Sequence, residues 1–190
     1  GCFSGTIGYI ISELEKGKKI SEAIRDAKEK GYTEPHPRDD LNGLDVARKL
    51  VILARTSGHD VDMKNVNVSP FIPRKYFARE NIELFINSTK ELDEDFSIKT
   101  KKAKENGGVL RYVARLDSRT APKKLSVSLQ EVSKNSSLGK LEGNLNKIII
   151  VSNTYPLETP YSVEAPGAGL EVTAQNIRRD LLYQLKERKN

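Results

Sequence analysis

The sequence lacks the features that mark secreted and membrane proteins. It has a single cysteine, Cys2, in 190 residues, which excludes an internal disulfide and favours a reducing compartment such as the cytoplasm. Its purely apolar runs, such as Ile148 to Val151, are strand-sized and fall far short of the ~18 to 20 residues that span a bilayer. No basic stretch leads into an apolar run at the start of the chain. We therefore expect neither a membrane segment nor a signal peptide.

Aromatic residues are also scarce, at 6% with no tryptophan. The chain carries a net charge of +6 at pH 7, and its densest basic cluster is KTKKAKENGG at 99–108. A basic cluster that binds single-stranded nucleic acid usually includes aromatic side chains on which bases stack, and this cluster has none. It lies at a predicted helix C-terminus, where cations complement the helix dipole. We expect no nucleic-acid partner.

Helical patterns come first in the chain and strand patterns follow. Apolar residues recur at helical spacing in 4–16, in a helix opened by Ser21 and closed by Gly31, in 41–57 and in 80–105. Strand-length stretches occupy 109–117, 124–132, 146–155 and 160–165, and a terminal helix comes after the glycine-rich turn. The order predicts one α+β domain over residues 1–190, with helices packed on one face of a mostly antiparallel sheet whose strands form a meander.

The stretch from 31 to 49, GYTEPHPRDDLNGLDVARK, is unusually rich in charge. Its two prolines predict a stiff, extended approach to the helix at 41–57, and Asp39 or Asp40 is expected to cap that helix. The helix is apolar around most of its circumference, which predicts that it is buried together with Asp45 and Lys49.

Two interpretations of these charges remain open from the residues alone. Glu34, Asp45 and Lys49 form a polar pocket, in which carboxylates bind an amine and the ammonium donates to a substrate oxygen. Alternatively, Asp45 and Lys49 form an ordinary helix pair, worth about 0.3 to 0.5 kcal/mol. One histidine, His36, among loosely spaced carboxylates matches no zinc pattern, so we predict no metal site.

The segment GYTEPHPRDDLNGLDVARKLVILAR resembles the most distinctive segment of homoserine dehydrogenases. GCFSGTIGYIISEL and GAGLEVTAQNIRRDLL resemble two further segments of that family in the same order. His36 stands where the family usually has Asp, and Cys2 where Thr or Ile is common. The family's Rossmann domain, with its strand-GxGxxG-helix fingerprint, is absent from this chain. The chain is therefore expected to be the catalytic and dimerisation region, cut from something longer.

The resemblance implies an oxidoreductase that interconverts L-homoserine and L-aspartate 4-semialdehyde with NADP or NAD, on the route to threonine, methionine and isoleucine. It further implies a cytoplasmic homodimer paired through the antiparallel strands, and a chain that is inactive without its cofactor domain. The implied site residues are Lys49 as proton donor or acceptor, Glu34, Asp45, Tyr32 and Thr33 around the substrate, and Gly31, Gly167 and Gly169 near the cofactor. The competing hypothesis is a non-catalytic binding or assembly module that uses a basic surface or the sheet.

Overall fold

The computed structural model describes residues 1–120, 124–167 and 169–187, and confirms the α+β class. The helices are α1 (Gly5–Glu15), α2 (Ile20–Glu29), α3 (Arg38–Leu41), α4 (Leu44–Thr56), α5 (Ile82–Ser88), α6 (Asp93–Glu105) and α7 (Leu170–Glu187). The strands are β1 (Val66–Val68), β2 (Gly108–Asp117), β3 (Lys124–Ser133), β4 (Leu145–Ile150) and β5 (Tyr161–Pro166). Short 3₁₀ turns lie at Met63–Asn65, Arg74–Tyr76 and Thr89–Leu92.

The strands form two small, mostly antiparallel sheets. In the first, β2 pairs antiparallel with β3, from Gly108 opposite Ser133 to Asp117 opposite Lys124, and β1 lies parallel to β3 on its other side. In the second, β4 pairs antiparallel with β5. Because β3 and β4 belong to different sheets, the predicted continuous meander is wrong.

The connection between the two sheets folds back onto β2. Arg111 of β2, only 5% exposed, donates to the carbonyl oxygens of Leu138, Gly139 and Leu141 and pairs with Glu15 of α1. The connection therefore turns toward α1 instead of returning as a neighbouring strand. No simple sequence pattern marks this buried guanidinium.

The core lies between the helices and the first sheet. Helices α1, α4 and α6 contact β2, and α2 packs against α1 and α5. The large side chains that are almost completely removed from solvent include Ile7, Ile10, Ile20, Ile24, Leu41, Phe85 and Phe96. Burial of this apolar surface is the main stabilising contribution to the fold. Within the described ranges, no helix has the length and apolarity needed to cross a bilayer.

Some predicted helix ends are confirmed and others shift. Ser4 caps α1, since its Oγ accepts from Ile7 N–H at 3.1 Å, and Gly31 follows α2 with φ +69°. Helix α2 begins at Ile20 instead of Ser21, because the Ser21 side chain and N–H bind Asp93. The predicted helix at 80–105 is two helices, α5 and α6, joined by a 3₁₀ turn.

The helix predicted at 41–57 begins only at Leu44. The chain turns at Gly43, where φ is +76° and a Cβ would lie 2.0 Å from Tyr112 Oη, so only glycine fits. Asn42 Oδ1 accepts from Leu44 N–H at 2.8 Å, and the prediction that Asp39 or Asp40 caps this helix is therefore wrong.

Helix α4 is buried on one face only. Its inward residues are Val46, Ala47, Leu50, Val51 and Ala54. Ile52 and Leu44 are 61% and 39% exposed, so the apolar residues do not all point into the core. The side chains of Asp45 and Lys49 are 53% and 43% exposed, and the prediction that this charged pair is buried is wrong.

Candidate active site

A polar cluster forms where the first turn of α1 meets residues 31–37, which we call the site loop. Thr6 Oγ1 lies 2.5 Å from the Tyr32 carbonyl oxygen and 2.8 Å from Asp40 Oδ1. The second oxygen of Asp40 accepts from Glu34 N–H at 2.9 Å. Asp40, on the four-residue helix α3, thus ties the site loop to α1.

The Thr6 hydroxyl has one proton for two oxygen neighbours. When it donates to the Tyr32 carbonyl, the contact with Asp40 is favourable only if the Asp40 carboxyl supplies a proton. Burial raises the pKa of Asp40, and the charges of Glu34 and Asp45 raise it further, against the hydrogen bonds from Glu34 N–H and Thr6. The protonated form of Asp40 is therefore favoured relative to an exposed aspartate.

Replacing Asp40 with asparagine is expected to remove a pH-dependent part of the free energy of unfolding. The folded carboxyl has a raised pKa, so its contribution is greatest at low pH and is lost as pH rises above about 3.9 and through the folded pKa. The amide of Asp40→Asn donates to Thr6 and accepts from Glu34 N–H at any pH. Urea unfolding of both proteins between about pH 4 and 7 measures the difference.

Two further variants define this prediction. Asp40→Ala is expected to be about 1 to 3 kcal/mol less stable than Asp40→Asn at every pH, because it leaves the Glu34 N–H without its acceptor. Asp39→Asn, at an exposed neighbouring position, serves as the control. A stability difference between wild type and Asp40→Asn that does not change with pH would contradict the raised pKa.

Asp45 and Lys49 lie one turn apart on α4. Lys49 Nζ is 2.8 Å from Asp45 Oδ2 and donates to the Phe3 carbonyl oxygen at 3.1 Å. The pair is thus a helix pair, as one interpretation of the sequence holds, but the lysine also reaches the residues that lead into α1. Because both side chains are about half exposed, they are accessible to a ligand.

The other predicted substrate residues lie on the site loop. Tyr32 packs edge-on against Tyr9, with ring centroids 5.0 Å apart, and Thr33 Oγ1 donates to the Glu34 carbonyl oxygen at 2.8 Å. Glu34 is exposed. Both Glu34 and Asp45 act electrostatically on Asp40, so the three carboxylates are near one another. The structure brings the loop and the Asp45–Lys49 pair together around the start of α1.

The predicted cofactor glycines have different surroundings. No atom lies within 4 Å of a Cβ built on Gly31 or Gly169, so a ligand can approach the backbone there. At Gly167 the same position is filled by the Asn146 side chain, 2.1 Å away, and the Gly167 N–H donates to the Asn144 carbonyl oxygen. The described hydrogen bonds thus anchor Gly167 to β4 and do not join it to the site loop. The cofactor role of the three glycines stays a prediction.

Residues outside the charged stretch complete the cluster. Thr6 contacts Asp40, and the Phe3 carbonyl oxygen accepts from Lys49. Neither Thr6 nor Phe3 was predicted as part of the site. The sequence signal for them is SGT at 4–6, which predicted the helix start and formed part of the family resemblance. In the described ranges, no three His, Cys, Asp or Glu side chains are grouped so as to hold a metal ion.

Comparisons with known proteins find matches both in sequence and in structure. The family model described as homoserine dehydrogenase matches residues 1–182. A bifunctional aspartokinase/homoserine dehydrogenase from Buchnera aphidicola is 40% identical over 97% of the chain, and the homoserine dehydrogenase of Saccharomyces cerevisiae is 35% identical over 96%. A crystal structure of a Candida auris protein of unknown function superposes on 95% of the chain, with a TM-score of 0.83 and 33% identity.

The chain spans only part of these proteins. It covers 22% of the Buchnera protein, 51% of the yeast enzyme and 51% of the Candida auris chain. The described site lies within the matched region.

Proposed function

The chain belongs to the homoserine dehydrogenase family, and from that premise we propose that it is the substrate-binding and catalytic region of an enzyme that interconverts L-homoserine and L-aspartate 4-semialdehyde. The observation that supports this most directly is the half-exposed Asp45–Lys49 pair beside the carboxylates of Glu34 and Asp40. The alternative, a non-catalytic binding module, is not favoured, because the family match extends over nearly the whole chain.

Glu34 and Asp45 bind the substrate's ammonium group in this proposal. Both carboxylates are exposed, and charge-assisted hydrogen bonds to an ammonium are stronger than neutral ones. Asp40 does not compete for this role, because its two oxygens are occupied by Thr6 and the Glu34 N–H. Tyr32 and Thr33 form the wall of the pocket next to Glu34.

Lys49 is the proton donor or acceptor at the substrate's C4 oxygen. Its ammonium has three protons, of which one faces Asp45 and one faces the Phe3 carbonyl oxygen. The third is donated to the aldehyde oxygen when the substrate is reduced, and in the reverse direction the neutral amine accepts the hydroxyl proton through its lone pair. The two fixed contacts orient the Lys49 amine. Asp45 stabilises the positive charge of Lys49 while negative charge develops on the substrate oxygen in the transition state.

NADP or NAD supplies or accepts the hydride when bound. The chain's own residues fit one part of such a cofactor, since the backbone at Gly31 and Gly169 is open to a ligand. The sequence has no GxGxxG fingerprint, so we propose that the rest of the dinucleotide binds to a domain outside this chain. The chain alone is therefore expected not to turn over.

We also propose that the enzyme is a cytoplasmic homodimer. Exposed apolar side chains on the second sheet, Ile150 of β4 and Tyr161 and Val163 of β5, are suited to pairing two subunits. The single free cysteine agrees with a reducing compartment.

Isothermal titration calorimetry of the chain with L-homoserine tests the substrate assignment. Glu34→Gln and Asp45→Asn are each expected to weaken binding by about tenfold, because each removes a charged acceptor. Asp95→Asn is the matched control, since Asp95 forms the same i, i+4 pair with Lys99 on α6. Unchanged affinity in both site variants would refute the assignment.

A further inference from the structure

His36 is buried in the site loop and both of its ring nitrogens are engaged. It is 9% exposed, and its ring lies edge-on to Phe85, with centroids 5.1 Å apart. Nδ1 accepts from the Arg38 backbone N–H at 3.2 Å. Nε2 lies 3.1 Å from the Arg79 carbonyl oxygen.

These partners are compatible with one form of the imidazole. A backbone N–H only donates, so Nδ1 must carry a lone pair, and a carbonyl oxygen only accepts, so Nε2 must carry the proton. The neutral Nε2–H tautomer satisfies both contacts. The imidazolium has a proton on each nitrogen and loses the contact with Arg38.

The side chains of His36 and Arg38 fasten the site loop to residues 77–79, which lie beyond β1. His36 binds Arg79, and the Arg38 guanidinium donates to the Phe77 carbonyl oxygen at 3.2 Å. His36 lies two residues after Glu34 and immediately before Pro37, the N-cap residue of α3. The position of Glu34 therefore depends on this attachment at one end of the loop and on Asp40 at the other.

We propose that His36 is a positioning residue, whose neutral imidazole holds the Glu34 loop by joining the Arg38 N–H to the Arg79 carbonyl oxygen. The inference rests on the proposed function, in which Glu34 binds the substrate ammonium. Protonation of the ring releases the Arg38 N–H and loosens this part of the loop, while the Nε2–H contact with Arg79 is kept.

Both cations and carboxylates lie on the elements around the ring. Arg38 and Arg79 carry the two backbone groups that the ring contacts, and Lys28 of α2 donates to the neighbouring Pro35 carbonyl oxygen. The element α5 presents the neutral Phe85. The site loop and α3 carry the carboxylates Glu34, Asp39 and Asp40, and Glu80 and Glu83 follow Arg79. Asp39 faces Arg38 and Glu83 pairs with Arg25.

Nitrogen-15 NMR of the imidazole tests the geometry without any substrate. At about pH 7.5, well above the ~6.5 at which an exposed histidine is half protonated, His36 is expected to show an unprotonated Nδ1 and a protonated Nε2. The opposite tautomer, or a doubly protonated ring, would overturn the proposal. Because no ligand is involved, this result is independent of the proposed function.

The functional test compares homoserine affinity at about pH 7.5 and 5.5, on either side of the ordinary histidine range. Wild type is expected to bind about fivefold more weakly at the lower pH, the effect of losing one hydrogen bond. His36→Asn is expected to remove most of this pH dependence, because its Oδ1 accepts from Arg38 N–H at either pH. The control is His59→Asn, at the other of the chain's two histidines. This variant is expected to keep the pH dependence of homoserine affinity.

An undiminished pH dependence in His36→Asn would refute the positioning role. If homoserine does not bind at all, the proposed function fails, and hydrogen exchange at the Glu34 N–H replaces affinity as the measurement. After correction for the intrinsic pH dependence of exchange, its protection is then expected to fall about fivefold at the lower pH in wild type and to change less in His36→Asn, in which only the Asp40 acceptor still titrates. Equal loss in both proteins overturns the inference by this route as well.

Discussion

Replacing Lys49 with methionine is expected to lower kcat for homoserine oxidation by about 10²- to 10⁴-fold, with a much smaller change in KM. The assay uses an enzyme in which this chain is joined to an NAD(P)-binding domain. Methionine keeps most of the length and apolar character of the lysine stem but removes the proton and the charge. Because Glu34 and Asp45 remain, the substrate ammonium is still bound, and the loss falls on the proton-transfer step.

The matched control for this prediction is Lys99→Met. Lys99 pairs with Asp95 at 2.6 Å, also at i, i+4 spacing and with a similar exposed fraction, but on α6. It is expected to leave kcat unchanged. If Lys49→Met also leaves kcat unchanged, then Lys49 only bridges α4 to Phe3 and another group moves the proton.

Replacing Arg111 with methionine is expected to cause a large loss of stability, about 3 to 5 kcal/mol in the free energy of unfolding. The guanidinium satisfies three carbonyl oxygens of the connection between the sheets, and it pairs with Glu15, whose side chain is 29% exposed. Methionine fills most of the volume but offers no donor, so buried carbonyls and one carboxylate lose their partner together. Urea unfolding gives the value.

Arg115→Met on the same strand is the control. Its side chain is 61% exposed and its contact with Asp117 is 3.6 Å long, so its removal is expected to cost less than about 1 kcal/mol. A similarly small loss for Arg111→Met would mean that water replaces the guanidinium at the connection. We would then expect the two sheets to be held together chiefly by their apolar contacts.

Local patterns allowed much of the secondary structure to be predicted. The Ser4 cap and the glycine after α2 depend on residues within a few positions of the helix ends, and both predictions are confirmed. The β2 and β3 strands begin and end within one residue of their predicted limits. These features are determined by propensity and hydrophobic period, which the sequence displays directly.

Features that depend on distant contacts were missed. The late start of α4 follows from the close approach of Tyr112 to Gly43, and the division into two sheets follows from the burial of Arg111. The same distinction applies to the candidate site. Its charged residues lie within one short stretch of the sequence and could be predicted. Thr6 and the Phe3 carbonyl oxygen join the site only through the packing of α1.

The attachment of the site loop to α1 has a consequence for the order of folding. The Thr6–Asp40 contact closes a separation of 34 residues, whereas the Arg111–Glu15 contact closes 96. Closing the shorter loop costs about 0.9 kcal/mol less in chain entropy. Contacts of low sequence separation also tend to form early. We therefore expect the substrate pocket to take shape from the first fifty residues before the connection between the sheets locks onto β2.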